Sequence, residues 1–290
     1  MKWQGRRASR NIIDRRGSAN GRRVGRSGAA QGIGGLGLVA VLVIGYFLGV
    51  DVRPLLDGAG ANSSRIENAA PASAAEQQAG QFVAVVLADT EEIWTDVFRA
   101  QLNASYRAPQ LVLFSGATYS ACGGAEGASG PFYCPPDRMA YLDTQFFDVL
   151  RRRLGASGDF AAAYVVAHEV AHHVQNETGI LPWANEQRAG ASDAESNRIS
   201  VMIELQADCF SGIWAHFAEA NLGVIERGDL AEALNAARQI GDDTLQRNAG
   251  RRPNPHTFTH GTSEQRARWF QRGYDTGQLR QCDTFNASRL

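Results

Sequence analysis

Three hydrophobic patterns divide the chain. Residues 33–50 form one uncharged apolar run of 18 residues, without the polar stripe of a helix on a soluble core. Residues 82–102, FVAVVLADTEEIWTDVFRAQL, place apolar residues at helical spacing, and the short runs LVLFSG and RMAYLD predict strands. Further helices are predicted over 144–154, 159–175, 196–220, 229–247 and 263–272. This pattern indicates an α+β fold, mainly helical with a small sheet.

The apolar run predicts one membrane-spanning helix over residues 29–50. Such a helix needs about 20 residues to cross the hydrocarbon layer. Nine Lys and Arg residues and one acid, Asp14, precede it between Lys2 and Arg26. Basic flanks stay in the cytoplasm. We therefore expect a basic cytoplasmic arm at 1–28, a single-pass anchor in the cytoplasmic membrane, and the remaining chain outside.

Three interpretations compete with an uncleaved anchor. The run can be a buried helix of a soluble core, but such helices usually carry a polar stripe. Ala59-Gly60-Ala61 has the form of an export cleavage site, although it lies far beyond the run. Paired arginines also occur in twin-arginine export, but no obvious export consensus follows them here. The uncleaved anchor is the preferred interpretation.

Beyond the span, residues 51–80 are rich in small and polar residues and predict a flexible spacer. The globular domain is expected at 81–290. The net charge is −1, so no global field attracts nucleic acid, and no nucleic-acid partner is expected.

Four cysteines suit an oxidising compartment outside the cytoplasm. Cys122 and Cys134 bracket the glycine-rich loop CGGAEGASGPFYC, which favours a local disulfide. Cys209 and Cys282 remain, and their pairing would tie the C-terminal tail to a central helix. Four cysteines allow three connectivities, so this pairing is a preference.

The stretch VVAHEVAHHVQ carries the candidate chemistry. On a helix, His168 and His172 lie one turn apart on the same face, which suits two corners of a zinc tetrahedron. Glu169 projects beside that face, where it can take a proton from zinc-bound water. The alternative is a pair of solvated histidines on a helix surface.

A catalytic zinc site needs a third protein ligand. The stretch MIELQADCF places Glu204 and Asp208 at i,i+4 in an otherwise apolar helix, where buried acids need a cationic partner. We assign Glu204 as the third ligand and Asp208 as the acceptor for a ligand imidazole. The alternative is that both acids lie on a solvated helix edge. Other candidates are weaker: Glu177, Asp193, Glu195, His216 and His173, which points about 100° away from His172.

Several blocks are similar to the bacterial neutral zinc metallopeptidase family: HEVAHHVQ, ELQADCF, IGDDTLQR, FTHGTSEQR, RWFQRGYDTGQ, CDTF, the opening MKWQGRRASRNIIDRRG, and CGGAEGASGPFYCPPD with YLD. The resemblance covers nearly the whole chain except the spacer. It implies a zincin-like fold with a glutamate as third ligand. His256 stands where the family has an acidic residue, so it receives no role.

His260 lies in a loop that Asn254-Pro255 and Gly261 frame as a turn. In zinc peptidases with this ligand set, a histidine from a later segment often donates to the oxyanion, and His260 is a candidate for that role. The alternative is a histidine bonded to the backbone of its turn.

The sequence therefore predicts a membrane-anchored zinc endopeptidase that acts on a peptide or protein outside the cytoplasm. Glu169 would deprotonate the water and later protonate the leaving amine, and the strand Leu111–Phe114 would align an extended peptide. One alternative is a non-catalytic, zinc-stabilised binding module of the envelope, although structural zinc needs no general base. Another is a zinc amidase that acts on cell-wall peptides.

Overall fold

A computed structural model describes residues 1–17, 72–126 and 130–290. Most of these residues are helical. The α-helices are α1 (Ala74–Val97), α2 (Phe146–Arg152), α3 (Asp159–Glu177), α4 (Ile180–Ala189), α5 (Asp193–Ala220), α6 (Asp229–Gln239), α7 (Asp242–Asn248) and α8 (Ser263–Thr276). A π-helical turn, Phe98–Leu102, extends α1, and 3₁₀ turns cover Pro255–Thr257 and Leu279–Cys282.

The strands are β1 (Ile12–Asp14), β2 (Gln110–Phe114), β3 (Ala117–Ser120), β4 (Gly123–Glu126), β5 (Phe132–Cys134) and β6 (Met139–Asp143). Four of them form a sheet in the order β1-β2-β6-β5, in which only β5 runs antiparallel to its neighbour. A separate hairpin pairs β3 with β4. The expected mainly helical α+β class with a small sheet is confirmed.

One face of the sheet packs against the helices, because strand side chains alternate between the two faces. Leu111, Leu113 and Leu142 join the main core, while Val112 and Phe114 join a second cluster on the opposite face. Helix α3 crosses the main core and is buried almost all round, as its apolar composition requires.

The strand expected to align a peptide, Leu111–Phe114, cannot do so. It lies within β2, and β2 is hydrogen-bonded on one side to β1 and on the other to β6. An extended peptide adds only to a free edge. In the described sheet the strand edge nearest to α3 belongs to β5.

Most predicted helices are present, with three differences. The segment expected as one helix over 229–247 is two helices, because Gly241 is extended and approaches the backbone of Ser263 closely. Helix α4 was not predicted. Helix α2 is shorter than the predicted helix over 144–154, because it begins at Phe146 behind the N-cap Gln145 and ends at Arg152.

Helices α5 and α8 approach each other through two glycines. A Cβ atom at Gly273 would lie 1.8 Å from the backbone oxygen of Cys209, and one at Gly212 would lie 2.0 Å from that of Phe270. Only glycine permits this contact. The close crossing brings the side chains of the two helices together in the core.

Residues 1–17 are part of the same core. Strand β1 pairs with β2, the backbone N–H of Ser9 donates to Ala84, and Trp3 stacks edge-to-face on Phe82. The Arg6 guanidinium group lies 2.7 Å from the buried carboxylate of Asp89. Residues 1–17, the described part of the expected arm at 1–28, therefore belong to the domain.

The domain also begins earlier than the expected residue 81, because α1 starts at Ala74 behind the N-cap Ser73. The expected span at 29–50, the spacer up to residue 71 and the Ala59-Gly60-Ala61 stretch lie outside the described residues. Within the described part of the chain, none of the helices has the length and apolarity to cross a membrane.

Candidate metal centre

Helix α3 supplies both histidines of the centre. The imidazoles of His168 and His172 have centroids 4.8 Å apart, as expected for residues one helical turn apart. Both side chains lie against α5 in the interior, so the alternative of solvated histidines on a surface is excluded.

Helix α5 brings Glu204 to these histidines. One carboxylate oxygen of Glu204 lies 3.1 Å from Nε2 of His168 and the other lies 3.5 Å from Nε2 of His172. The three side chains offer ligand atoms that all lie within 4.8 Å of one another. Ligands at zinc's bond lengths in a tetrahedron stand about 3.3 Å apart. The donor set and its spacing therefore fit a zinc ion.

The outer nitrogen of each histidine faces an acceptor. Nδ1 of His168 lies 3.1 Å from Oδ1 of Asp208, and Nδ1 of His172 lies 2.9 Å from Oε1 of Gln175. The Gln175 amide donates to the carbonyl of Ile203 and to Gln206, which fixes its oxygen towards His172. Such acceptors hold a metal-ligating imidazole in the tautomer that leaves Nε2 free.

Asp208 is fully buried and carries more than the contact with His168. Arg266, on α8, donates from Nε to one Asp208 oxygen at 2.9 Å and from a terminal nitrogen to the other at 3.0 Å. The Tyr164 hydroxyl donates to the same carboxylate. A bidentate Arg–carboxylate pair compensates for the burial of both charges. The alternative of a solvated helix edge does not hold for Asp208.

The environment shifts the pKa values of the centre. Burial would lower the pKa of His168, but contacts with Asp208 and Glu204 raise it to about 9. Burial lowers the pKa of His172 to about 4 and raises that of Glu169 to about 7. Glu169 lines the same cleft as the three candidate ligands and is only 8% exposed.

His260 also faces the cleft, from the loop before α8. Its Nδ1 lies 3.2 Å from Oδ1 of Asp242, and the other Asp242 oxygen accepts the backbone N–H groups of Thr259, His260 and Gly261. The alternative, a histidine bonded only to the backbone of its own turn, does not describe His260, because its Nδ1 faces Asp242 of α7. Burial would lower the pKa of His260, but the Asp242 carboxylate raises it above its ordinary value.

The remaining candidates lie elsewhere. His173 is buried between the Tyr133 hydroxyl and the carbonyl of Arg107, and His216 bonds to the carbonyl of Tyr274. Others are paired with arginine or lie at exposed positions: Glu177, Asp193, Glu195 and His256.

Both preferred disulfides are present, Cys122–Cys134 and Cys209–Cys282. The first closes the loop before β5, and Cys122 lines the cleft. The second ties the 3₁₀ turn Leu279–Cys282 to the middle of α5, close to the acids of the centre.

Sequence reasoning missed four residues that shape the site: Arg266, Asp242, Gln175 and Tyr164. Arg266 had a detectable signal, because it shares one helical face with the buried Trp269, Phe270 and Gly273. An arginine on an apolar face requires a buried anion. Asp242 had no detectable signal in the sequence, because acids in the first turn of a helix are common.

The comparisons with known proteins agree with this chemistry. Residues 1–285 match the family model described as "Putative neutral zinc metallopeptidase". The chain is 46% identical over 290 residues to "Uncharacterized protein YpfJ" of Escherichia coli strain K12, a match that covers 99% of this chain and 100% of that protein. It is 45% identical over 199 residues to "Uncharacterized protein Rv2575" of Mycobacterium tuberculosis strain H37Rv, covering 65% and 66% of the two chains. No solved structure matches the chain. The chain belongs to the family of neutral zinc metallopeptidases.

Proposed function

We propose that this protein is a zinc-dependent endopeptidase that works outside the cytoplasm. The observation that carries the proposal is the convergence of His168, His172 and Glu204 in a cleft that Glu169 also lines. Structural zinc sites are closed by four protein ligands, whereas catalytic sites have three and an open position. The centre has three candidate protein ligands and opens into the cleft.

His168, His172 and Glu204 would hold the zinc ion, which supplies a Lewis acid for the scissile carbonyl and lowers the pKa of the attacking water. Glu169 takes the proton of that water and later delivers it to the leaving amine. His260, oriented by Asp242, donates from Nε2 to the developing oxyanion. Asp208 faces Nδ1 of His168 and Gln175 faces Nδ1 of His172, and these acceptors keep each imidazole oriented with Nε2 towards the metal position.

The cleft offers an edge for an extended peptide. Phe132 and Tyr133 of β5 line it, and β5 is an edge strand of the described sheet. A peptide paired with β5 would pass over the centre with backbone hydrogen bonds that do not depend on its sequence. This suits an endopeptidase.

The variant Glu169→Gln tests the proposal. The change is nearly isosteric and removes no candidate ligand, so zinc content and thermal stability should stay near wild type. Hydrolysis of casein and of short peptides should fall by about 10²-fold to 10⁴-fold or more, because proton transfer is lost. A matched control is Glu264→Gln, an exposed glutamate on α8, which should leave hydrolysis unchanged.

Two other outcomes would redirect the assignment. Suppose that the wild-type protein binds zinc tightly, yet hydrolyses no peptide that the Glu169→Gln variant leaves intact. That outcome would favour a zinc-stabilised binding module. Hydrolysis of cell-wall peptides alone would favour the amidase.

The location outside the cytoplasm is supported by the two disulfides, which persist in oxidising compartments. The apolar run at 33–50 supports attachment to the cytoplasmic membrane. Because residues 1–17 pack on the domain, they must lie on the same side of the membrane as the domain. A single crossing by the run at 33–50 would put these two parts on opposite sides. We therefore propose that the run attaches the protein to the membrane without crossing it once, and that the N-terminal segment lies outside with the domain, in place of the expected single-pass anchor and cytoplasmic arm.

A further inference from the structure

One cation of the cleft is not used by the centre. Arg188 lies near the end of α4, is half-buried, and lines the same cleft as Glu204. Its Nε donates to the backbone oxygen and to the hydroxyl of Ser196, both at 3.2 Å. These two bonds fix the base of the guanidinium group on the side of the cleft formed by α4 and α5.

The terminal nitrogens of Arg188 have no protein acceptor among the described residues, and no described carboxylate forms a salt bridge with it. Arg266, Arg107 and Arg138 differ in this respect. Arg266 is held by both oxygens of Asp208, and Arg107 and Arg138 share Glu177. Burial lowers the pKa of Arg188 to about 10, so the group is still charged at neutral pH. A charge that is partly removed from water needs a partner.

A second unpaired polar group lies beside it. Asn185 stands three residues earlier on α4, which puts both side chains on one helical face, and it also lines the cleft. Its amide forms no hydrogen bond with any described residue, so its donors are available to a ligand. The surrounding wall is apolar at Leu181 and Ile203, and Phe132 lines the same cleft.

We propose that Arg188 and Asn185 form a subsite that binds a carboxylate of the peptide substrate. The subsite rests on the proposed peptidase function and defines a substrate class for it. A guanidinium group with two free nitrogens binds a carboxylate in bidentate fashion, and the Asn185 amide adds a third donor. Arg188 and the candidate ligand Glu204 line the same cleft, so the bound carboxylate lies in the cleft that holds the centre. It belongs either to an acidic side chain or to the C-terminus of the peptide.

Paired peptides test the subsite. Zinc-loaded full-length protein is assayed with pairs of short quenched fluorescent peptides. In one series the two members carry Glu or Gln at the same position, and each position is tested in turn. In the other series the two members have a free or an amidated C-terminus. Wild type should prefer the carboxylate member at one position by about 10-fold in kcat/KM, mainly through KM, because a charge-assisted hydrogen bond is lost in the neutral member. Preference for Glu identifies an acidic side chain, and preference for the free C-terminus identifies the terminal carboxylate.

Arg188→Gln should abolish this preference, because it lowers kcat/KM for the carboxylate member about 10-fold more than for the neutral member. The control Arg198→Gln changes an exposed arginine on α5, 62% exposed, and should keep the preference. Equal losses on both members of the pair would overturn the subsite, because they would indicate binding of a main-chain carbonyl. A wild-type protein that hydrolyses both members equally at every position would also overturn it, whether or not the variant folds.

Binding without turnover separates this proposal from the proposed function. In zinc-loaded Glu169→Gln, calorimetry should show about 10-fold tighter binding of the carboxylate peptide, and the added Arg188→Gln change should remove the difference. If the carboxylate peptide binds tighter but wild type cleaves nothing, the subsite stands and the peptidase function fails. If peptides are cleaved but bind without preference for a carboxylate, the peptidase function stands and the subsite fails.

Discussion

Gln175 holds His172 at the centre: its Oε1 lies 2.9 Å from the imidazole Nδ1, and its amide nitrogen is committed to two other oxygens. Replacement by methionine keeps the volume and removes the acceptor. We expect Gln175→Met to weaken zinc affinity by about 10-fold to 100-fold, as is usual when an outer partner of a ligand is lost. Titration against a competing chelator measures this.

The matched control for Gln175→Met is Ser211→Ala. It removes the fully buried hydroxyl of Ser211 on α5, which donates only to the backbone oxygen of Ala207. This variant should keep wild-type zinc affinity even if it melts earlier. Equal zinc affinities for the two variants would contradict the role of Gln175.

Glu204 is the only acid that faces both candidate ligand nitrogens among the described residues. Glu204→Ala should therefore release most of the zinc, because two histidines leave the site incomplete. Glu195→Ala, at the exposed start of the same helix, is the control and should keep it. Metal analysis after dialysis distinguishes them. Zinc retained by the first variant and lost by the second would refute the ligand assignment.

The Asp242 carboxylate sets the charge of His260. Burial would lower the pKa of His260, but the Asp242 carboxylate, with help from Glu204, raises it above its ordinary value, while Arg266 opposes the rise. Donation to the oxyanion by a protonated His260 is lost as pH rises through this raised pKa. Asp242→Asn lowers that pKa, so the alkaline limb of kcat/KM should move to lower pH in the zinc-loaded enzyme.

His260→Ala should lower kcat by about 10²-fold, a loss typical of one oxyanion donor. Adding Asp242→Asn to it should cost little more, because both changes act through the same group. An unchanged alkaline limb in Asp242→Asn, or strictly multiplicative losses in the double variant, would show that the two residues act separately.

The packing of residues 1–17 has a consequence for topology that labelling can check. Arg10→Cys and Glu264→Cys place single thiols at exposed positions of the N-terminal segment and of α8. In spheroplasts, a membrane-impermeant maleimide should label the two thiols equally, because β1 and the domain lie on the same side of the membrane. Protection of Arg10→Cys until the membrane is lysed would restore the cytoplasmic arm.

The sequence by itself determined the features that depend on local geometry. The i,i+4 spacing of His168 and His172 follows from the helical repeat, and the cysteine spacings favoured the disulfides that are present. The acids of MIELQADCF were identified because a charge in an apolar helix requires a partner. The helical and strand patterns likewise follow from the burial of one face.

Only the tertiary structure decided which distant groups meet. Arg266 reaches Asp208 across 58 residues because two glycines let α5 and α8 touch. Asp242 orients His260 because the break at Gly241 places the first residue of α7 beside the loop that carries His260. The N-terminal segment looked like a basic arm, but β1 completes the sheet next to β2. Short strands and lone charges have little periodicity of their own, so their partners are set by packing between elements far apart in the chain.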